Sequence, residues 1–364
     1  MKFLYATSFA RTSGLANRFQ VMAMVKAFSR QLGKGFFFGA SDFEYPGGTV
    51  PVKNFKTSKS PLLAWRTLRF IAQSEIRVMY CREIHLLFWS VILNFIYFHE
   101  PITFAYEIHA LPLTLKEKVL NWFVSRRANL LVFLTAHLRQ IFLERYPQPK
   151  RHLVMVAHDG VDLDVFDISM GRDEARKKYH LPADKKIIGF FGRFKTMGMD
   201  KGISDILKAM KSLPDDVVFL AMGGKRRDRE EYEMSARESG VSQRVIFVEQ
   251  FEQPILAEYQ KACDILLMPF PRTTHFAYYM SPLKMFEYMA SKRPIIATDL
   301  PSIREVLSEK NACIVPPDDP KKLADGILRI LNEEGYHDKI ANEAYNDSKK
   351  YTWQKRVVRI LEII

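Results

Sequence analysis

SPLKMFEYMASKRPIIATD, residues 281–299, decides the fold class. Read with helical period, Leu283, Phe286, Glu287 and Ala290 share one face. Within a few residues of Ala290 the chain becomes the continuous apolar run Ile295-Ile296-Ala297. A helix feeding such a run is half of a unit whose strand is buried on both sides. Ser281 reads as the N-cap and Pro282 as the first helical residue, since serine is a favoured cap and proline is tolerated there. The amides of Leu283 and Lys284 then lack helical acceptors and point out of the helix start, toward an anion. Glu287 places a carboxylate in an otherwise apolar stripe. It either accepts hydroxyl hydrogen bonds from a ribose or pairs with Lys284 three residues earlier.

The same alternation extends in both directions. KFLYAT, GFFFGA, IRVMYC, ITFAYEI, NLLVFL and HLVMVA read as strands in the first half. KIIGFFG, VVFLAMGG, RVIFVE, DILLMPF, PIIATD and ACIVP do so in the second. Apolar strands separated by helix-length segments indicate two parallel, doubly wound α/β domains. The polar stretch around GVDLDVFDISMGRDEARKKYHLPADKK holds the join, placed near residue 170. This gives domains over 1–170 and 171–345 and a terminal helix over 346–364. No GxGxxG or GxxxxGK[ST] occurs, so the usual dinucleotide and P-loop fingerprints are missing.

Charge is unevenly spread. Residues 1–160 hold 21 Lys and Arg against 9 Asp and Glu, so nearly all of the net +13 lies there. An anionic membrane surface is the expected partner, because PLLAWRTLRFIAQ and LKEKVLNWFVSRR interleave Arg and Lys with Trp65 and Trp122, a composition that settles at lipid headgroups. A nucleic-acid partner is not expected, since no RNP, zinc or helix-turn-helix signature is present. LLFWSVILNFIYF, residues 86–98, is too short to span a bilayer and reads as a buried or interfacial helix. No signal peptide is evident. Cys81, Cys263 and Cys313 follow no metal spacing, consistent with buried thiols in a reducing compartment. The expected location is cytoplasmic, peripheral on the inner membrane face.

In GFFGRFKTMGMDKG the chain leaves a strand at Gly192-Arg193 and enters a helix after Lys201-Gly202. Arg193 and Lys201 at the mouth of a crevice suit a diphosphate, one as a fork and one as a point charge.

GRFKTMGMDKG, VVFLAMGG, RVIFVEQF, ACDILLMPF and SPLKMFEYMASKRPIIATDLPSIREVL stand in the order found in retaining glycosyltransferases of family 4, and the chain resembles that family. VAHDGVDLDVF looks like the segment before its interdomain linker, and YTWQKRVVRILEII like its terminal helix returning to the first domain. The likeness covers the second domain almost completely and the first more thinly. It implies the GT-B fold, two Rossmann-like domains facing across a cleft. It also implies a nucleotide-sugar donor in place of a cofactor, UDP- or GDP-linked. No Asp-x-Asp stands at a strand end, so no metal is expected and Arg193 and Lys201 would take its place.

Carried over by position, Arg193 and Lys201 would hold the diphosphate, with Lys284 and the helix start at Ser281, Pro282 and Leu283 helping. Glu287 would hold the ribose. The backbone at Val248 and Glu249 would meet the base, with Gly223-Gly224 lining the same pocket. Gly14 in ARTSGLANR would close over the donor, and His109 in AYEIHALP would lie near the transferred sugar, with His85 a lesser candidate. The family places a first glutamate eight residues before the second. Here that position is Tyr279, which puts the sugar's identity in doubt, and His275 nearby is an alternative contact. The resulting expectation is a retaining hexosyltransferase acting on a lipid-linked or cell-envelope glycan acceptor. A catalytically silent subunit and a sugar-nucleotide epimerase are the alternatives.

Overall fold

The computed structural model describes residues 2–8, 15–43, 45, 49–148, 153–249 and 252–364, with the side chains of 15–17 left aside. The chain divides into two compact units, one made of Met1–Asp159 and Trp353–Ile364, the other of Gly160–Thr352. The joins thus fall at 159/160 and 352/353, not near 170 and 345. Residues 160–171 go with the second unit because Val161 bridges to Thr352 and Phe166 is buried in that unit's core.

The first unit has one parallel sheet of β1 (Phe3–Ala6), β2 (Phe36–Ala40), β3 (Val52–Asn54), β4 (Val78–Cys81), β5 (Thr103–Ile108), β6 (Leu130–Phe133) and β7 (Leu153–Val156), ordered 3-2-1-4-5-6-7. Its helices are α1 (Leu15–Leu32), α2 (Ser60–Ser74), α3 (Ile84–Leu93), α4 (Leu115–Ser125) and α5 (Ala136–Arg145). Edge strand β3 escaped the sequence reading because it is three residues long and only partly buried, so its apolar pattern is faint. The core is aromatic: Phe3 stacks on Phe28 at 4.5 Å, and Tyr5 and Tyr80 pack beside them.

In the second unit, α6 (Leu163–Phe166) and α7 (Arg172–Lys178) precede β8 (Lys186–Phe191). A hairpin of β9 (Lys195–Thr196) and β10 (Met199–Asp200) follows, and then α8 (Ile203–Ala209), β11 (Val217–Met222), α9 (Arg226–Glu238) and β12 (Val245–Val248). After these come α10 (Gln253–Ala262), β13 (Ile265–Met268), α11 (Leu283–Ala290), β14 (Ile295–Thr298), α12 (Pro301–Arg304), β15 (Cys313–Val315), α13 (Pro320–Asn332) and α14 (Tyr336–Ser348). The parallel sheet runs β12-β11-β8-β13-β14-β15. Alternate residues of β8 enter different cores, Ile187 and Phe191 one, Ile188 and Phe190 the other, so both faces are covered. The strand order reverses between β8 and β13, and in such sheets ligands bind outside the carboxyl ends at that point.

α15 (Trp353–Ile363) closes the chain and belongs to the first unit, where it packs on α1. The three cysteines are buried and free.

Candidate functional site

In the second unit, β8 ends at the switch point and the chain turns sharply at Gly192, whose φ is +109°. Gly192 donates its N–H to Met222, and Gly223 donates to the carbonyl of Val248, which ties the ends of β8, β11 and β12 together. A Cβ on Gly223 would stand 2.3 Å from the carbonyl oxygen of Gly192, so only glycine fits there. The hairpin β9–β10 comes between this turn and α8. Asp200 at its end accepts from the amides of Gly202, Ile203 and Ser204 at 2.8–3.0 Å. The start of α8 is therefore satisfied by the protein itself, and the open helix start in this region is that of α11.

The cap of α11 differs from the sequence reading. The capping position falls on Pro282, with no side-chain cap, and Ser281 lies before it, buried. The helix starts one residue later than expected because Pro282 takes an extended ψ of 124°. The amides of Leu283 and Lys284 still have no acceptor within the helix.

Lys284 itself is buried at 7% exposure, and its ammonium has no hydrogen-bond partner. It lies 3.3 Å from the ring centroid of Phe190, and a Cβ on Gly192 would stand 4.0 Å from Nζ. The alternative pairing with Glu287 does not form. Burial pushes the Lys284 ammonium well below its ordinary pKa, helped by the positive charge of Lys201 and opposed by Glu287. Lys201 is pushed down to about 8, by burial first and then by Arg193. Burial also lowers His275, again with Lys201 adding to it. Lys201 thus feels the charge of Arg193, and Lys284 that of Lys201, and among the described residues no carboxylate forms an ion pair with any of the three.

Glu287, one turn into α11, is raised to about 7 by burial, against the pull of Lys284 and a long contact from Gln253 Nε2 at 3.5 Å. At neutral pH it stands near half ionised. Tyr279 ends a π turn over His275–Tyr279, its ring edge-on to His275 at 6.5 Å. Val248 is the last residue of β12, and its carbonyl accepts from Gly223. The exposed Glu249 pairs with Arg229 at 2.8 Å. Gly14 lies outside the described residues.

The first unit carries a second polar centre, and here the charges are paired. His109 follows β5, and its Nε2 lies 2.6 Å from Oε1 of Glu107, which is itself buried. Burial works to raise Glu107, but Arg356, His109 and Arg82 together hold it well below the usual carboxylate range. An ionised Glu107 accepts, so Nε2–H donates and Nδ1 is left as an acceptor. His109 is lowered to about 4, by burial and Arg82 against Glu107, and stays neutral at pH 7. Tyr80 also donates to Glu107, and Gln20 Nε2 reaches Glu107 at 3.3 Å and Asp159 at 2.6 Å. Arg356 of α15 lies 3.3 Å from both Glu107 and Asp159. Arg82 donates to Gln20 at 2.7 Å. His85 sits in the first turn of α3, outside this network.

Sequence reasoning missed Glu107, Asp159, Arg356 and Asp200. The signals were present: an acid inside the buried strand TFAYEI, an arginine on the apolar stripe of YTWQKRVVRILEII, and an aspartate two residues before a helix-opening glycine.

The family described as "Glycosyl transferases group 1" matches residues 185–333. These residues are a group 1 glycosyltransferase domain. D-inositol 3-phosphate glycosyltransferase of Xylanimonas cellulosilytica is 27% identical over 219 residues, covering 58% of this chain and 50% of that protein. The lipopolysaccharide core biosynthesis mannosyltransferase LpsB of Rhizobium meliloti is 26% identical over 181 residues, 48% of this chain and 49% of its own. The chain spans about half the length of the curated relatives it matches.

Among solved structures, sucrose-phosphate synthase from Thermosynechococcus elongatus superposes with a TM-score of 0.78 at 18% identity, over 99% of this chain and 97% of that one. Anabaena HepE, solved with UDP, gives 0.79 at 16% identity over the whole of both chains. At these identities the likeness shows the fold, which is GT-B as expected. The match over 185–333 contains Arg193, Lys201, Gly223, Gly224 and Lys284, so the cation cluster lies inside the group 1 domain.

Proposed function

We propose that the protein is a retaining glycosyltransferase that moves a hexosyl unit from a nucleoside-diphosphate donor to a lipid-linked or envelope glycan at an anionic membrane surface. The observation that carries this is Lys284: an ammonium buried without a partner, beside two further unpaired cations and an open helix start. A burial of that kind is costly until an anion arrives. A diphosphate would meet Lys284, Lys201, Arg193 and the amides of Leu283 and Lys284 together, and ionised Glu287 would accept the ribose hydroxyls. UDP is the favoured nucleotide, since HepE carries it on the same fold. A sugar-transferring relative in lipopolysaccharide synthesis supports the acceptor class.

In the reaction, the bond from the anomeric carbon to the diphosphate breaks and a bond to the acceptor oxygen forms on the same face. The acceptor's proton passes to the departing diphosphate. The fixed cations stabilise the charge that grows on that group, the part a metal plays elsewhere. His109, with Nδ1 free to accept, is assigned to a sugar hydroxyl.

Thermal shift with UDP, GDP and ADP tests the donor site, and one nucleotide should stabilise the protein clearly above the others. Lys201→Ala and Glu287→Ala should each weaken that nucleotide or turnover by roughly tenfold or more. Full activity in both variants refutes the assignment. Turnover with labelled donor and crude lipid should survive a chelator, and the product's anomeric configuration should match the donor's. Tyr279, standing where the family has a glutamate, favours a second reading as a silent subunit. That reading requires nucleotide binding with no transfer to any acceptor.

A further inference from the structure

Nine of the twelve exposed large apolar side chains among the described residues lie between Leu62 and Trp122, all in the first unit. They fall on α2, on α4 and its approach, and on the turn that ends α3. That turn is a π turn over Asn94–Phe98. Phe95, Ile96 and Tyr97 at its tip are 70%, 52% and 62% exposed. The turn is not slack. Asn94 donates through Nδ2 to the carbonyl of Glu100 and accepts from that residue's amide, and His99 N–H returns to the carbonyl of Asn94 at 2.8 Å. Trp65 of α2 braces it from the side, 5.5 Å from Tyr97 and 4.9 Å from Phe98. A built turn that holds three bulky apolar tips in water needs something to cover them.

The patch continues onto α4. Leu115, Val119 and Trp122, spaced four and three apart, form one exposed stripe. Arg127 joins the two parts, with its guanidinium 5.9 Å from the Phe95 ring and 5.6 Å from Phe123. Arg126 lies over Trp122 at 4.6 Å. The exposed Arg66 and Arg69 of α2 and Lys116 and Lys118 of α4 add positive charge to the same helices, Arg66 donating to the carbonyl of Phe55. Helices α2, α3 and α4 hold a single carboxylate, Glu117, and it is engaged in capping α4 through the amides of Leu113 and Thr114.

From this geometry we infer that the face built by α2, the turn at Asn94–Phe98 and α4 is a membrane-docking surface, with Phe95, Ile96 and Tyr97 entering the acyl boundary of an anionic leaflet and the basic rim meeting lipid phosphates. Apolar tips with aromatic and basic neighbours are what headgroup and acyl layers jointly recognise. A duplex nucleic acid would meet the basic rim and leave the apolar tips at Phe95, Ile96 and Tyr97 uncovered. No described helix is long and apolar enough to cross a membrane, so the contact is peripheral. The inference rests on the reading of the acceptor as lipid-linked and says where this chain would meet it.

The test floats the full chain with phosphatidylcholine vesicles, with and without about one third phosphatidylglycerol, and follows the emission of Trp65 and Trp122. Binding to the anionic vesicles with a blue shift is expected. The combined change Phe95→Ser, Ile96→Ser and Tyr97→Ser should weaken binding by roughly tenfold or more, and Lys116→Glu with Lys118→Glu should do so most at low salt. Stabilisation by UDP should be unchanged in both variants. Equal binding to both vesicle types, no binding, or anionic binding that survives the serine variant overturns the docking surface. So does preferential binding to duplex DNA that the serine variant retains. A chain that floats but ignores every nucleotide sinks the donor reading and leaves the surface standing.

Discussion

Two buried polar centres in this chain are built on opposite principles. In the first unit Glu107, Asp159, Arg356 and Arg82 lie among one another, with His109, Gln20 and Tyr80 taking up hydrogen-bonding capacity. In the second, Lys284 is buried with no partner and Lys201 and Arg193 press their charge on the same place. Folding alone explains the first centre, because charges removed from water must be paired. It does not explain the second, which is left unfinished on one sign of charge. The difference separates a centre that orients a group already present from one shaped around an anion that binds later.

The two principles give opposite consequences on mutation, and the largest effect belongs to the paired centre. Arg356→Leu leaves two buried carboxylates with only the weaker charge of Arg82 against them. It should lower stability by about 3–5 kcal/mol. Thermal unfolding would then shift down by something on the order of 10 °C. Adding Glu107→Gln should recover part of the loss, because one of the stranded charges is gone. If Arg356→Leu unfolds like the parent, the network is not a paired one and the contrast fails.

Lys284→Met is the counterpart. Methionine keeps the length of the side chain and removes the stranded ammonium, so the unliganded protein should become more stable by a few degrees. Affinity for the preferred nucleoside diphosphate should fall by roughly ten- to a hundredfold, as expected for losing a charged hydrogen bond to phosphate. Stability gained and affinity lost in one variant is the signature of a site at odds with the apo fold. A loss of both would make Lys284 a structural residue.

The sequence was most legible where the signal is periodic. Runs such as IIGFFG and DILLMPF announce buried parallel strands, and the order of SPLK, EYMA and PIIATD places α11 directly before β14. Legibility ended where function depends on a partner distant in the chain. Glu107 and Arg356 are 249 positions apart, and nothing local in AYEIH or QKRVVRI says that they meet. The cap of α11 was misplaced by one residue because Pro282 takes an extended ψ, which the preference of serine for caps does not foretell. The cap of α8 was legible but unread: Asp200, two residues before Gly202, accepts from the amides of its first turn.

A smaller effect probes how the paired centre orients His109. Glu107→Gln keeps the shape of the acceptor and removes its charge. Glu107 raises the pKa of His109 while Arg82 lowers it, so the variant's imidazole should titrate below the parent's value of about 4. NMR of the histidine ring reads that shift directly. With labelled donor, turnover should fall by roughly tenfold or more, since the ring loses its charged anchor, while nucleotide affinity stays as in the parent. His109→Ala should lower turnover at least as far, again without touching nucleotide affinity. A loss of nucleotide binding in either variant would put the histidine in a different role.

The smallest effect is a pH dependence confined to the unfinished centre. Glu287 is raised in the folded protein to about 7 from an ordinary value of 4.5. The folded state therefore holds a proton that the unfolded chain has released between those two values. Its contribution to stability is fully present below pH 4.5, falls away as pH rises, and is gone above about 7. Without nucleotide, the melting temperature of the parent should decline across that window more steeply than that of Glu287→Gln, which keeps a neutral side chain throughout. Saturating nucleoside diphosphate should flatten the parent's slope, because ribose hydroxyls donate to the ionised carboxylate and pull its pKa back toward 4.5. If nucleotide stabilises the protein but leaves the slope as it was, Glu287 does not contact the ribose, and the anion-binding role of the cluster stands on its lysines and arginine alone.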